Sequence, residues 1–460
     1  MKRFLTLLFT TLLLTAALCV TASASDFDAV AEDLSAIGMF RGTASGFELD
    51  RAPTRSEAAI MLVRLYGAEE KAKTAYEAGE IKHPFTDVSE FTSPYVAWLY
   101  TNGITNGTSA TTFGSASRCS AQNYVVFLLR ALGYKDGTDF QYADAMTFAQ
   151  EKGFYDPVMF PGDFLRDDLA ALTYQALAAD LADGSTYLLD SLVKSGAIDA
   201  KAAQTMTGKI EAYRGMNNAM ETMDDSAMDV DMDVRMDMTM TAGGETVTIP
   251  STVKGNMKMV VDGANVSMAY TTETEAQGET MKMDMWMKDG YVYMSTVIDG
   301  EEMKLKYSVE DQLAAVEGLS MVDPDAMNVS GLAMLDSVTS RKSGSNTEYT
   351  IVIGKGMNSV LEGVLGTMDG AEGPGMNFGK ITAVYTVDSK GMLKKVVMQF
   401  TASMTVDVPG EDGQTVSTAV DYAYDMTMTV KATGKDVNVT FPDFSGYQEI
   451  DPSQMTGIAA

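Results

Sequence analysis

From Met228 to Met240 the chain alternates without a break. Met228, Val230, Met232, Val234, Met236, Met238 and Met240 hold the even positions, and Asp229, Asp231, Asp233, Arg235, Asp237 and Thr239 hold the odd ones. Side chains of an extended strand point to opposite faces in turn, so a two-residue period of this length fixes a strand with one apolar and one wet face. A helix would repeat its apolar positions every three or four residues. The same period returns at Met281, Met283, Met285 and Met287, at Met398, Phe400, Met404, Val406 and Val408, and at Val420, Tyr422, Tyr424, Met426, Met428 and Val430. Asp289-Gly290 reads as a two-residue hairpin turn, after which Tyr291 and Tyr293 continue the alternation. Strands that alternate this cleanly belong to an antiparallel sheet covered on one face only. The covering elements expected within the chain are a helix from Thr205 to about Met223, a stretch around Val309 to Val316, and a helix from Met357 to Met368 with Val360, Leu361, Val364 and Leu365 at helical spacing. Long strands with few helices predict an open, strongly curved half-barrel plugged on its concave side.

Ahead of residue 200 the periodicity changes, and only five of the 35 methionines lie there. Thr54-Arg55-Ser56-Glu57 has the form of a capping box, and behind it Ala58, Met61, Leu62 and Leu65 fall on one helical face before Gly67. Val125, Leu128, Leu129 and Leu132 repeat that face before Gly133, and Leu169, Leu172, Thr173 and Ala176 repeat it again. A shorter helix precedes each, around Val30 to Ile37, Tyr95 to Tyr100 and Ala145 to Ala149. The loops that follow the short helices are bounded by glycine: Gly38 to Gly42, Gly103 to Gly107, and Gly153-Phe154-Tyr155. One helix pair of this size cannot bury its own apolar stripe, so three pairs must share a core.

The order of a helix, a Gly-Ile-x-x-Gly loop, a Phe or Leu, and Thr-Arg-x-Glu opening a second helix resembles the S-layer homology repeat. The resemblance spans roughly Ser25 to Asp183, and Phe85-Thr86-Asp87-Val88 with Trp98, Gly103, Gly107 and Phe113 is its clearest portion. It implies an all-α, pseudo-threefold domain that grips an anionic secondary cell wall polysaccharide, with the motif arginine in grooves between repeats. The binding residues it implies are Gly38, Gly42, Arg55 and Glu57 in the first repeat, Trp98, Gly103 and Gly107 in the second, and Arg166 and Asp168 in the third. The second repeat reads Ser120-Ala121-Gln122-Asn123 where the motif stands, so its arginine is lost and two basic grooves are expected. A guanidinium suits the task because it offers a fixed two-pronged contact to carboxylate or phosphate. The competing reading is that each arginine pairs with a nearby acid, Arg55 with Glu57 or Arg166 with Asp168, for about 0 to 1 kcal/mol. For Arg64 and Arg130, in mid-helix, such pairing is the expectation.

In outline the second half resembles the lipoprotein-carrier superfamily of LolA and its mycobacterial relatives, extracytoplasmic half-barrels that hold acyl chains. That resemblance implies a lipid or hydrophobic peptide against Met232, Met236, Met238, Met283, Met285, Met398, Phe400, Met426 and Met428. Thioether side chains adapt to irregular apolar ligands, but they also fill an ordinary core, and then the chain is a structural or interaction protein of the envelope. Met-x-Met-x-Met runs are soft ligands suited to Cu(I), a minority alternative because no His or Cys stands near them. Asp229, Asp231 and Asp233 lack the glycine and the later glutamate of a calcium loop and read as a solvated face. No metal site and no cofactor are expected.

Lys2 and Arg3, an apolar run from Phe4 to Val20 and Ala22-Ser23-Ala24 read as a secretory signal over residues 1–24. No later run is long and apolar enough for a membrane span, so an integral membrane protein is not expected. The expected place is the outer wall surface of a bacterium. Loss of Lys2 and Arg3 takes the formal charge from -29 to -31, which argues against nucleic acid as a partner. With Cys19 inside the signal, Cys119 has no disulfide partner. His83 is the only histidine and lies in a polar connector. Neither residue has a nucleophile or base placed beside it, phosphate loops and zinc spacings are absent, and no enzyme is expected. The expected organisation is therefore multidomain: three repeats at 25–80, 81–136 and 137–200, the last including a linker, then an α+β antiparallel half-barrel over 205–450.

Overall fold

The computed structural model describes residues 27–450 apart from 44, 161, 222–225, 263–264, 299–300, 309–330, 355–375 and 410–414. The expected signal segment and the covering stretches expected at 309–316 and 357–368 lie outside the described residues.

Among the described residues the first half holds the helices α1 (Asp28–Ala36), α2 (Arg55–Leu65), α3 (Glu69–Glu77), α4 (Ser93–Thr101), α5 (Ala121–Ala131), α6 (Ala145–Glu151), α7 (Arg166–Ala178) and α8 (Leu188–Lys194). The three helices α2, α5 and α7 that open on the repeated motif are capped to different degrees. At α2 Thr54 Oγ1 accepts from the Glu57 N–H at 3.2 Å, and the Glu57 carboxylate accepts from the Thr54 N–H at 2.8 Å. At α5 only Ser120 Oγ takes part, accepting from the Asn123 N–H. At α7 Asp168 accepts from the Leu165 N–H at 2.7 Å, and the leucine has no oxygen to return the bond.

The short helix of each repeat packs on the long helix of another: α4 of the second repeat on α2 of the first, α6 of the third on α5 of the second, and α1 of the first on α7 of the third. Each pair is thus built from two repeats, and Leu34, Leu62, Leu128, Leu129 and Leu172 meet in one core with no exposed surface. Helices α3 and α8 escape the sequence reading. In α3 only Ala72 is buried, and polar bonds hold it in place. Glu69 at its start meets Arg64 at 3.1 Å, Lys73 at 3.0 Å, Arg41 at 3.3 Å and the Tyr95 hydroxyl at 2.6 Å.

Helix α9 (Gln204–Glu221) follows. Its Lys209 approaches Asp33 at 3.6 Å and its Arg214 meets Asp180 at 2.8 Å, both in the helical half. Its Ile210, Tyr213 and Met216 share one core with Leu332, Val338, Ile351, Met398, Phe400 and Met426 of the sheet. Gly215 lets the helix lie close: a Cβ there would stand 3.1 Å from the Tyr349 hydroxyl. The helix expected from Thr205 to about Met223 as a cover for the sheet is therefore present, and it packs on the helical half as well.

The sheet comprises β1 (Ala227–Ala242), β2 (Glu245–Asp262), β3 (Asn265–Ala276), β4 (Glu279–Lys288), β5 (Tyr291–Ile298), β6 (Glu301–Ser308), β7 (Leu335–Ser343), β8 (Asn346–Ile353), β9 (Met376–Phe378), β10 (Ile381–Val387), β11 (Leu393–Pro409), β12 (Thr415–Thr433) and β13 (Gln448–Glu449). Its order is β13-β6-β5-β4-β3-β2-β1-β12-β11-β10-β8-β7, with β9 beside β11. Every pairing is antiparallel except β13 with β6, and the two ends do not meet. This is the large, open antiparallel sheet of a half-barrel.

Register carries the methionine face across the sheet. Met228 stands opposite Met259, Met259 opposite Met268 and Met268 opposite Met287. On the other side of β1, Val234 pairs with Met426, Met426 with Met398 and Met398 with Ala383. One expectation is corrected here. Asp289 and Gly290 both take positive φ and pair Lys288 with Tyr291 and Trp286 with Tyr293. A two-residue turn joins residues of opposite parity, so Tyr291 and Tyr293 lie on the face away from the methionines. There Tyr293 stacks on Phe444 at 3.7 Å.

Candidate functional site

The repeats meet at junctions built on the same backbone bonds. Between the first and second, the Arg55 N–H donates to Ser117 O at 2.8 Å and the Ser56 N–H to Ser115 O at 3.2 Å. Between the third and first, the Arg166 N–H donates to Arg51 O at 2.9 Å and the Asp167 N–H to Leu49 O at 3.1 Å. Each arginine also lies over a phenylalanine ring, Arg55 over Phe113 at 5.0 Å and Arg166 over Phe40 at 4.8 Å.

The charges of the two guanidinium groups are treated differently. Arg166 is 4% exposed, meets Glu57 at 2.5 Å and donates from Nε to Phe47 O at 3.0 Å. Glu57 also takes Arg51 at 2.6 Å, and Arg51 takes Glu48 at 2.9 Å, so this junction balances two cations with two anions. Burial raises the Glu57 carboxyl, but Arg51, the Thr54 N–H and Arg166 outweigh it and hold the group below the usual carboxylate range. The acid that pairs with Arg166 is thus Glu57, not Asp168, which caps its own helix. Arg55 is half-buried and its side chain has no ion pair among the described residues, with Nε buried and unbonded. The reason is legible by equivalence. Glu57 lies six residues beyond Arg51, and six residues beyond Ser117 stands Asn123, a neutral side chain that accepts from the Tyr142 hydroxyl at 2.9 Å. The departure of the second repeat from the motif therefore removes an acid as well as an arginine.

The loop under Arg55 is rigidly held. Asp87 accepts from the N–H groups of Phe113, Gly114 and Ser115 at 2.7, 2.8 and 3.0 Å. Slight burial raises its carboxyl, but these three donors keep it below the usual range. Arg118, bridged to Thr54 through the backbone, is exposed beside the same loop. Sequence reasoning quoted Asp87 and Asn123 within their motifs without a task and passed over Arg118 and Arg51. The junction between the second and third repeats has no arginine. Gln122 donates to Tyr142 O at 2.7 Å and the Tyr142 ring is 47% exposed.

The other residues implied by the repeat motif are dispersed. Trp98 packs on Tyr66 at 5.3 Å, at the end of α2 remote from Arg55 and roughly 16 Å along the helix. Gly38 and Gly103 end helices α1 and α4 with positive φ, and Gly42 lies against Gly46. Gly107 supports the Arg55 loop from behind: a Cβ there would fall 2.3 Å from Phe85, whose ring meets Phe113 at 5.8 Å.

The nine side chains expected to line an apolar site divide in two. Met232, Met398, Phe400, Met426 and Met428 are buried, whereas Met236, Met238, Met283 and Met285 are half-buried. Both sets lie on one face. Met398, Phe400 and Met426 share the core of α9, and Met232 and Met428 pack with Ala219 at its end.

The reactive residues are occupied or buried. His83 is half-buried, accepts from the Phe85 N–H at 3.2 Å and shares a hydrogen bond with Ser93 Oγ at 3.2 Å, and burial lowers its pKa. Cys119 is 4% exposed, and burial pushes its thiol up to about 12. Among the described residues no three His, Cys, Asp or Glu side chains gather as a metal site, and no helix is long and apolar enough to cross a membrane.

Residues 84–114 match the S-layer homology domain model. They include Phe85, Asp87, Trp98, Gly103, Gly107 and Phe113, the stretch that carries the Arg55 loop. No curated protein sequence matches the chain. Among solved structures, a DUF1329 family protein from Desulfovibrio piger is similar over 50% of this chain and 95% of its own, at 13% identity and a TM-score of 0.17. A putative outer membrane lipoprotein-sorting protein domain from Vibrio parahaemolyticus covers 46% and 87%, at 9% identity and 0.13. The ywiB protein from Bacillus subtilis covers 44% and 96%, at 9% identity and 0.11.

Proposed function

We propose, from the S-layer homology match at residues 84–114, that the helical half is a pseudo-threefold anchor to a secondary cell wall polysaccharide of a bacterial surface. The groove between the first and second repeats takes an anionic group of that polymer. One observation carries the reading: at equivalent junctions Arg166 is neutralised by Glu57, while Arg55 is fixed over Phe113 with its charge unpaired. A guanidinium held over an aromatic ring loses little freedom when it meets a carboxylate or phosphate, which favours a two-pronged contact. Arg118 adds a second cation beside it, which helps to offset the repulsive field of a chain with net charge -29.

The sheet carries the second task in this reading, presenting an apolar face to a lipid or hydrophobic peptide at the wall. The half-buried Met236, Met238, Met283 and Met285 support it, because they continue a face whose other half is already filled. The protein is read as secreted and non-catalytic, consistent with the tied-down His83 and the inert, buried Cys119.

Sedimentation of the full chain with purified walls, before and after the secondary polysaccharide is stripped, tests the anchor. Retention on intact walls and release from stripped ones is the expected result, and equal retention on both overturns the reading.

A further inference from the structure

Methionine is over-used on the part of the sheet that α9 does not fill. Strands favour β-branched and aromatic residues, whose stiff side chains suit a pleated surface. Met268 on β3, Met285 and Met287 on β4, and Met294 on β5 are all half-buried, Met268 at the edge of the cluster around Met228 and Met259, and Met285 and Met287 beside Val292 and Tyr307. Filling an irregular gap does not account for an unbranched thioether at four neighbouring positions that keep access to solvent.

Register places these four side by side on one face. Met268 stands directly opposite Met287, and Met285 directly opposite Met294. Directly opposed Cβ atoms are about 4.5 to 5.5 Å apart, and residues two apart on β4 are separated by roughly 6.7 Å. Met268 and Met294 stand two strands apart and in different rows, too distant to share an ion, but the Cβ atoms of Met268, Met287 and Met285 lie within about 8 Å of one another. Three rotatable bonds in each side chain let these three sulfurs turn toward one point above the sheet. Of the charged side chains of β4, Lys282, Asp284 and Lys288 alternate onto the opposite face, Glu279 shares the methionine face at the far end of the strand, and Tyr270, opposite Met285, is the polar side chain beside the sulfurs.

We propose that Met268, Met285 and Met287 form an all-thioether site for a soft monovalent ion, Cu(I). Thioether sulfur selects Cu(I) over the hard cations that carboxylates and carbonyls take. An ion held only by neutral sulfurs keeps its charge, and a chain with net charge -29 favours it. The cross-strand register makes one cluster of residues that the linear Met-x-Met-x-Met run only spreads along a strand, and no His or Cys is needed to complete it. The site is independent of the wall anchor.

The test uses the full chain with Cu(I) under anaerobic, reducing conditions, and Ag(I) as a soft ion that does not change oxidation state. The expected result is saturable uptake of both, with sulfur-only coordination by X-ray absorption. Combining Met268→Leu, Met285→Leu and Met287→Leu keeps the face apolar and is expected to weaken binding at least tenfold. The pair Met285→Leu and Met287→Leu, a smaller change to the sheet, is expected to act in the same direction. Met398→Leu in the buried half is expected to leave uptake unchanged. Leucine preserves any affinity for an apolar probe, so loss of ion binding with retained probe binding separates this site from the lipid reading. Failure of the wild-type chain to take up Cu(I), or equally tight binding by the triple variant, overturns the proposal.

Discussion

Arg166 donates to Glu57 at 2.5 Å across the boundary between the third and first repeats, and Asn123 stands in the second repeat where Glu57 stands in the first. One missing carboxylate therefore decides which junction presents a free cation.

Restoring that acid is expected to close the groove. Asn123→Glu places a carboxylate where it can pair with Arg55, and an exposed or half-exposed pair of this kind contributes about 0 to 1 kcal/mol. Wall affinity is expected to fall by up to about fivefold, with the deficit shrinking at high salt, where the new pair is screened. Binding isotherms of both proteins on walls at two ionic strengths check it.

The two arginines are expected to differ in what they do for stability. Arg166→Gln removes a buried charge-assisted bond to Glu57 and the bond to Phe47 O. The expected cost is about 1 to 3 kcal/mol by denaturant unfolding. Arg55→Gln breaks no side-chain hydrogen bond or ion pair among the described residues, loses only the contact with the Phe113 ring, and is expected to cost less, about 0.5 to 1 kcal/mol.

Acid is expected to loosen the helical half through Glu69. Burial raises this carboxyl, but Tyr95, Arg64 and Lys73 outweigh burial and bring it down to about 2, against an ordinary 4.5. A group depressed on folding stabilises the fold fully above its unfolded value and loses that contribution as pH falls toward the folded one. Stability is therefore expected to decline from about pH 5 to pH 2, and Glu69→Gln is expected to flatten the decline. Unfolding midpoints measured across that range give the slope.

The division of the methionine face is expected to appear in truncation costs. Met398→Ala and Met428→Ala open cavities beneath α9 and are expected to cost about 2 to 5 kcal/mol. Met236→Ala and Met283→Ala, already half-exposed, are expected to cost less than about 1 kcal/mol. Uptake of a fluorescent apolar probe is expected to fall in the second pair and not in the first.

Much of this architecture is legible in the sequence because it rests on local periodicity. The alternation at Met228 to Met240 marks β1, and the Thr54 to Glu57 box marks the start of α2. What escapes is decided by contacts between distant residues. Helix α3 lacks an apolar stripe and depends on Glu69 meeting Arg64 and Tyr95. The parity of Tyr291 follows from the turn that precedes it, not from its own strand. The Arg166 partner lies 109 residues away, so Asp168, the neighbouring acid that sequence suggests, is the wrong one. The free state of Arg55 is visible only once Asn123 is recognised as the equivalent of Glu57.

The assignment of wall binding to Arg55 is tested by the affinity of Arg55→Gln for purified walls. A charge-assisted contact to the polymer predicts a loss of about tenfold or more, with folding intact and with a weaker dependence on salt than in wild type. An Arg55→Gln protein that binds walls as tightly as wild type, with the same salt dependence, contradicts it.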